Sequence, residues 1–234
     1  MKTRLLLAVL LAASTHAVAQ PSPAGSPPAS PAPNAVFVDP AAPEAADIRR
    51  LGESAMNRLS FMLVNELNTA IARGGLENAV EIAHLVRLPM TAGRFTDLPN
   101  ITAVKLTSLR LRTSTNAPDA ADKLALARVQ EELSSSPSPS QILVQRIDSP
   151  AGAPEWRVYR PIGVAPVCIR CHGDPVDQSP ELRVKLKERY PVDNASGFEL
   201  GQWRGLIRVT VDPTPPPPTK PATKPAVNPA AKKS

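Results

Sequence analysis

Val167-Cys168-Ile169-Arg170-Cys171-His172-Gly173-Asp174-Pro175 is the stretch around which the chain is organised. Two cysteines with two residues between them, followed at once by histidine, form the attachment signature of a c-type haem. The chemistry requires this order. Each thiol adds across one vinyl group of the porphyrin, so the two thioethers must lie close together along the chain. The histidine beside the second thioether then reaches the iron from the same side. Cys168 and Cys171 are thus the expected anchors of one covalent haem c, and His172 the expected proximal iron ligand. Two other chemistries use a CxxC pair, a redox dithiol and half of a zinc site. A dithiol is normally read next to a βαβ pattern, which this sequence lacks. Zinc would need further ligands, and downstream of the N-terminal leader the only other histidine is His84.

Outward from this stretch, the N-terminus begins Met1-Lys2-Thr3-Arg4, runs apolar from Leu5 to Ala13, and reaches Ala17-Val18-Ala19. A basic start, a short apolar run and an A-x-A site read as a secretory signal over 1–19. The run is short for a bilayer span. A periplasmic or secreted protein with no transmembrane span in its mature chain is expected, which suits haem attachment outside the cytoplasm. Of 28 prolines, eight lie in 21–46 and eight in 213–234. Residues 20–46 therefore read as a disordered Pro/Ala-rich linker and 213–234 as a disordered Pro/Lys-rich tail. The foldable part is 47–212, enough for one core. The net charge of +6 owes much to Lys2, Arg4, Lys220, Lys224, Lys232 and Lys233. No basic stripe with interleaved aromatics is present, so a nucleic-acid partner is not expected.

Asp47 to Arg73 has the three- and four-residue apolar spacing of a helix, ended by Gly74-Gly75. A second helix covers Leu76 to Leu88, with Ala79, Ile82, Ala83 and Val86 as its apolar stripe and Val80 at the margin. Ile101 to Arg112 reads as a strand. Asn116-Ala117-Pro118-Asp119 turns into a helix with Leu124, Leu126, Val129 and Leu133 as its apolar positions. Ile142–Ile147 and Trp156–Val164 form a hairpin, Pro180–Tyr190 a short helix, and Leu206–Val211 a last strand. N-terminal helices followed by antiparallel strands with inserted helices define an α+β domain.

Several segments resemble a known family. They are Tyr159-Arg160-Pro161-Ile162, the Cys168–Pro175 stretch, and Tyr190-Pro191 with Asp193, Ala195, Gly197, Phe198, Gly201, Arg204 and Gly205 at their spacing. Together with Thr107–Arg112 and Asn116–Asp119, these are similar to a bacterial exported c-type haem domain with a PAS-like fold, formerly catalogued as a domain of unknown function. That family supplies stand-alone cytochromes and the sensor parts of membrane signalling proteins. The resemblance implies a PAS-like antiparallel sheet with N-terminal helices and a CxxCH haem segment. In that family a cysteine on the second N-terminal helix can be the other axial ligand. The matching position here is Ala83, and no third cysteine exists, so this ligation is not carried over.

The far face of the iron therefore has several candidates. His84 is the first, because two imidazoles make a low-spin electron carrier. Met56, Met62 and Met90 follow, and an open position is the remaining choice. Phe198 and Trp203 are candidates for packing on the porphyrin edge. Arg112, Arg160 and Arg204 are candidates for pairing with haem propionates. Gly197, Gly201 and Gly205 read as turn positions. No nucleophile triad, paired carboxylates or phosphate loop is found, so no enzyme activity is expected. The expected function is a monohaem c-type cytochrome for electron transfer or redox sensing through a redox or sensor partner. The alternative is a haem-based gas or ligand sensor that also acts through a partner.

Overall fold

The computed structural model describes residues 34–85, 98–136, 141–148 and 152–213. The expected signal peptide, residues 20–33 of the linker, Met90, and the tail from residue 214 lie outside the described residues. So do the side chains of Ile82, His84 and Leu85.

The elements are β1 (Asn34–Val38), α1 (Pro43–Leu85), β2 (Ile101–Thr107), α2 (Ala120–Ser135), β3 (Leu143–Asp148), β4 (Glu155–Gly163), α3 (Pro166–His172), α4 (Pro180–Arg189) and β5 (Trp203–Val211). The five strands make one antiparallel sheet in the order β1-β3-β4-β5-β2. This is the α+β architecture that the sequence predicts.

Alternation along the strands gives the sheet two apolar faces. On one face Val104, Val144, Trp156, Val158, Ile207, Val209 and Val211 pack against Ala45, Ile48, Ala55, Met56 and Leu59 of α1. On the other, Leu143, Tyr159 and Leu206 pack against Ala125, Leu126 and Val129 of α2. Each large side chain buried in this way stabilises the fold by about 1.5–3 kcal/mol. Helix α1 approaches the sheet so closely at Gly52 that a Cβ there would lie 2.6 Å from Val158.

Helix α1 changes direction at Gly74 and Gly75, where the backbone is non-helical and Gly75 has φ +76. An L side chain rarely adopts that conformation, so the helix expected to end at this pair does break there, and a second helical segment starts at once. The Asn78 side chain donates to the Ala70 carbonyl at 2.9 Å and so satisfies an acceptor that the break frees.

Several expectations need correction. Residues 34–46 are not a disordered linker. Asn34–Val38 is an edge strand paired with β3, and α1 begins at Pro43. Phe37 and Val38 reach opposite faces of the sheet, and that apolar content outweighs the surrounding prolines. Strand β2 stops at Thr107 rather than Arg112. Ser108 leaves the ladder by donating from its hydroxyl to the Arg204 carbonyl at 2.6 Å and accepting from the Arg110 N–H. Leu109 consequently points to solvent, as does Leu124 on α2. On α2 the buried face is instead Ala121, Asp122, Ala125, Leu126 and Val129. Past the break in α1, Val80 is buried and Ala83 is exposed, so the buried face is rotated from the expected stripe toward Val80.

The α2 face of the sheet carries a polar network. Asp119 caps α2 in a capping box with Asp122. The fully buried Asp122 accepts from Lys105, Arg157, Arg208 and the Tyr159 hydroxyl. Both oxygens of this buried carboxyl are thus hydrogen-bonded, which offsets its removal from water. Burial pushes the Tyr159 hydroxyl well above its usual range, and the nearby Asp122 carboxylate adds to the effect.

Candidate functional site

Helix α3 carries Cys168, Cys171 and His172, which at i, i+3 and i+4 share one helical face. Pro166 starts the helix with φ already set, and the Gly173 N–H closes it on the Ile169 carbonyl at 2.7 Å. Both thiols are free and partly buried. Cys168 packs with Ile169 against Val164, Ala195 and Phe198. Cys171 packs with Leu76 and Tyr190 against Val80, Leu182 and Leu186. Burial pushes the Cys171 thiol above its ordinary value, although Arg112 opposes this. The two sulfurs therefore line apolar walls formed by different elements, Val80 and Leu76 of α1 among them. Glu81 ties the same part of α1 to α4 through Lys185 at 2.7 Å and through Arg189.

The segment 193–198 cradles the histidine. Phe198 N–H donates to the His172 carbonyl at 2.9 Å, and Gly197 N–H to the Gly173 carbonyl at 2.8 Å. His172 Nδ1 lies 2.7 Å from the Ala195 carbonyl oxygen. A carbonyl only accepts, so the proton sits on Nδ1 and Nε2 keeps a free lone pair. Burial, with Arg112 and Arg204 adding to it, lowers the imidazole to about 3, so the ring is neutral. A neutral imidazole with its far nitrogen anchored on a backbone carbonyl is the state in which histidine binds a metal.

Arg112 holds this arrangement from behind. Its guanidinium donates to the Cys171 carbonyl at 2.7 Å and the Ala195 carbonyl at 3.2 Å, and it pairs with Asp193 at 3.0 Å. Arg204 donates to the Arg110 carbonyl at 2.9 Å. Arg110 donates to the carbonyls of Asn194 and Ser196 and lies 3.9 Å over the Phe198 ring, with Arg204 at 5.2 Å from that ring. Phe198 meets the His172 ring edge-on, 6.4 Å between centroids.

Cys168, Cys171 and His172 are thus brought together, with Arg112, Arg204 and Phe198 beside them. Arg160 is not in this cluster; it bonds Asn57 of α1 at 2.7 Å. Trp203 is not there either. It packs against the α2 cluster and donates to the Gly205 carbonyl at 2.8 Å. Met56 is buried in the core between α1 and the sheet, and Met62 is half-buried on α1. Gly197 and Gly201 have positive φ, as turn positions require, whereas Gly205 is not in a turn but within β5, where φ is +153 and a Cβ would lie 2.3 Å from the Thr107 carbonyl oxygen. Arg110 was not singled out by sequence, because it stands at a polar position of an expected strand.

Two clefts flank α3. One, of about 440 Å³, lies between α1 and α3 and is lined by Val64, Asn68, Ile71, Ala165, Pro166, Val167 and Arg170. The other, of about 450 Å³, includes Ile169, Arg170, Gly173, Phe198 and Leu200. Neither is lined by Cys168, Cys171 or His172. The donor set nonetheless fits a c-type haem, with two free thiols and an anchored neutral imidazole on one helix face.

The fold and the site define an α+β domain built to present a CxxCH helix against a backbone cradle. The chain belongs to the Tll0287-like family, whose profile matches residues 8–212. A solved structure described as the cyanobacterial heme-protein Tll0287 is similar with a TM-score of 0.49 and 22% identity, over 74% of this chain and 98% of that one. The comparison with curated proteins found no match.

Proposed function

We propose that this protein is an exported, periplasmic or secreted monohaem c-type cytochrome that carries electrons or senses redox state through a partner protein and turns over no substrate. The observation that carries the reading is the single face of α3, where two free thiols stand beside a histidine whose Nδ1 is fixed on Ala195. Bound there, a haem would supply one-electron chemistry between ferric and ferrous iron. Cys168 and Cys171 would hold the porphyrin, and His172 would present Nε2 to the iron. The meander β3-β4-β5, with β2 beside the last strand, supports the PAS-like reading of the fold.

His84 is proposed as the ligand on the other face. Leu76 and Val80 of α1 pack with Cys171, and His84 is the next position at four-residue spacing along the same helix. Absorption spectra of oxidised and reduced protein, beside those of a His84→Ala variant, test both parts. A low-spin c-type spectrum that becomes high-spin in the variant is expected. An unchanged variant spectrum removes His84 from the site. Rapid carbon monoxide binding to the reduced wild type would favour a ligand sensor over an electron carrier.

A further inference from the structure

Three guanidinium groups and one carboxylate surround the loop that holds His172. Arg112 is paired with Asp193 at 3.0 Å. Among the described residues, Arg110 and Arg204 form no ion pair; their donors go to the backbone carbonyls of Asn194, Ser196 and Arg110 and their faces to Phe198. A carbonyl satisfies a hydrogen bond but does not cancel a charge, so the cluster keeps positive charge in excess beside the histidine.

Arg204 is the member whose charge is least well accommodated. Burial, and then the like charge of Arg112, bring it down to about 10, with Asp193 the carboxylate that opposes this. Arg112 donates to the same Ala195 carbonyl that His172 Nδ1 contacts, and Arg204 lies 5.2 Å from the Phe198 ring, which in turn meets the His172 ring edge-on at 6.4 Å. Cations at that place favour whichever state of a ligated metal carries less positive charge.

We propose that Arg204, together with Arg112, raises the reduction potential of the iron held by His172, so that the site is set to accept an electron. This rests on the reading of the site as a haem centre. The step is Fe(III) plus one electron giving Fe(II), with the electron supplied by a one-electron donor protein or, in the test, by a dye mediator. No proton is transferred. Arg204 is a positioning residue, acting on the iron only through the field at His172.

The test is the ratio of reduced to oxidised haem in the full-length holoprotein, held with dye mediators at the wild-type midpoint. At an effective dielectric of about 20, one charge within several ångströms shifts an equilibrium on the order of tenfold or more. Arg204→Met should lower the reduced-to-oxidised ratio about tenfold, and Arg204→Lys should restore most of it. Asp193→Asn, which removes the opposing charge, should raise the ratio. If Arg204→Met does not fold, the direction of the Asp193→Asn shift decides. A haem-loaded Arg204→Met protein with an unchanged ratio overturns the inference alone, as does an Asp193→Asn shift toward the oxidised form. A polypeptide with no haem overturns the inference together with the functional reading.

Discussion

His172 and Ala195 are joined by a 2.7 Å contact between the imidazole Nδ1 and the backbone carbonyl oxygen. Arg112 donates to the same oxygen at 3.2 Å. Because the acceptor is main chain, its position depends on how the 193–198 loop is held. Asp193 holds it locally by accepting from the Ala195 N–H at 2.7 Å. Arg112 holds it from a segment more than eighty residues away in sequence.

Removing Arg112 should therefore loosen the cradle. Arg112 and Asp193 are only 11% and 13% exposed at their side chains. Loss of one partner of a buried pair leaves the other uncompensated, at a cost of about 3–5 kcal/mol. We expect Arg112→Met to lose stability of that order in urea unfolding. Arg112→Lys should recover only part of it, because an ammonium group cannot span two carbonyls and a carboxylate as a planar fork does.

Gly52 offers a test of the α1–sheet contact. A Cβ there would meet Val158 at 2.6 Å. Alanine is a better helix former, so at an open position Gly52→Ala would stabilise. Here overpacking should dominate, with a loss of about 1–3 kcal/mol. Pairing it with Val158→Ala should recover part of that loss, which denaturation of the double variant would show.

Acid stability should depend in part on Asp119. Burial works to raise its carboxyl, but the Asp122 N–H and the Arg157 guanidinium together hold it below the ordinary value. A carboxyl with a depressed folded value stabilises above its unfolded value, about 3.9, and loses that contribution as pH falls through the lower folded value. We expect Asp119→Asn to be less stable than wild type by a constant margin at neutral pH. The margin should shrink below about pH 4, where wild type loses its advantage. Unfolding midpoints across that range would show a parallel pair of curves if Asp119 has no such role.

Much of this architecture is legible in the sequence. The helical periodicity of α1, the Gly74-Gly75 break, the β3–β4 hairpin and α4 all follow from local patterns of side-chain spacing and turn residues. The CxxCH motif, with its neighbours, marks the candidate site for the same reason, since its residues are contiguous along the chain. Strand β1 was missed because the prolines on either side of it mask five residues that pair with β3, more than a hundred residues away. Arg110 was missed because its role depends on β2 ending early, which Ser108 brings about through a bond to Arg204. Trp203 was misplaced because alternation alone does not say which face of a two-sided sheet meets the site. Val80 lay one position off the expected stripe, and its burial depends on the angle at which the Gly75 break sets the second helical segment.

The most direct measurement is the intact mass of the purified polypeptide after denaturation, when any non-covalent cofactor has been lost. Wild type should be heavier than its processed sequence by one haem. Cys168→Ala and Cys171→Ala should each weaken or abolish that addition. A wild-type mass equal to the bare polypeptide, or one lighter by two hydrogens through a Cys168–Cys171 disulfide, would contradict covalent haem at this helix.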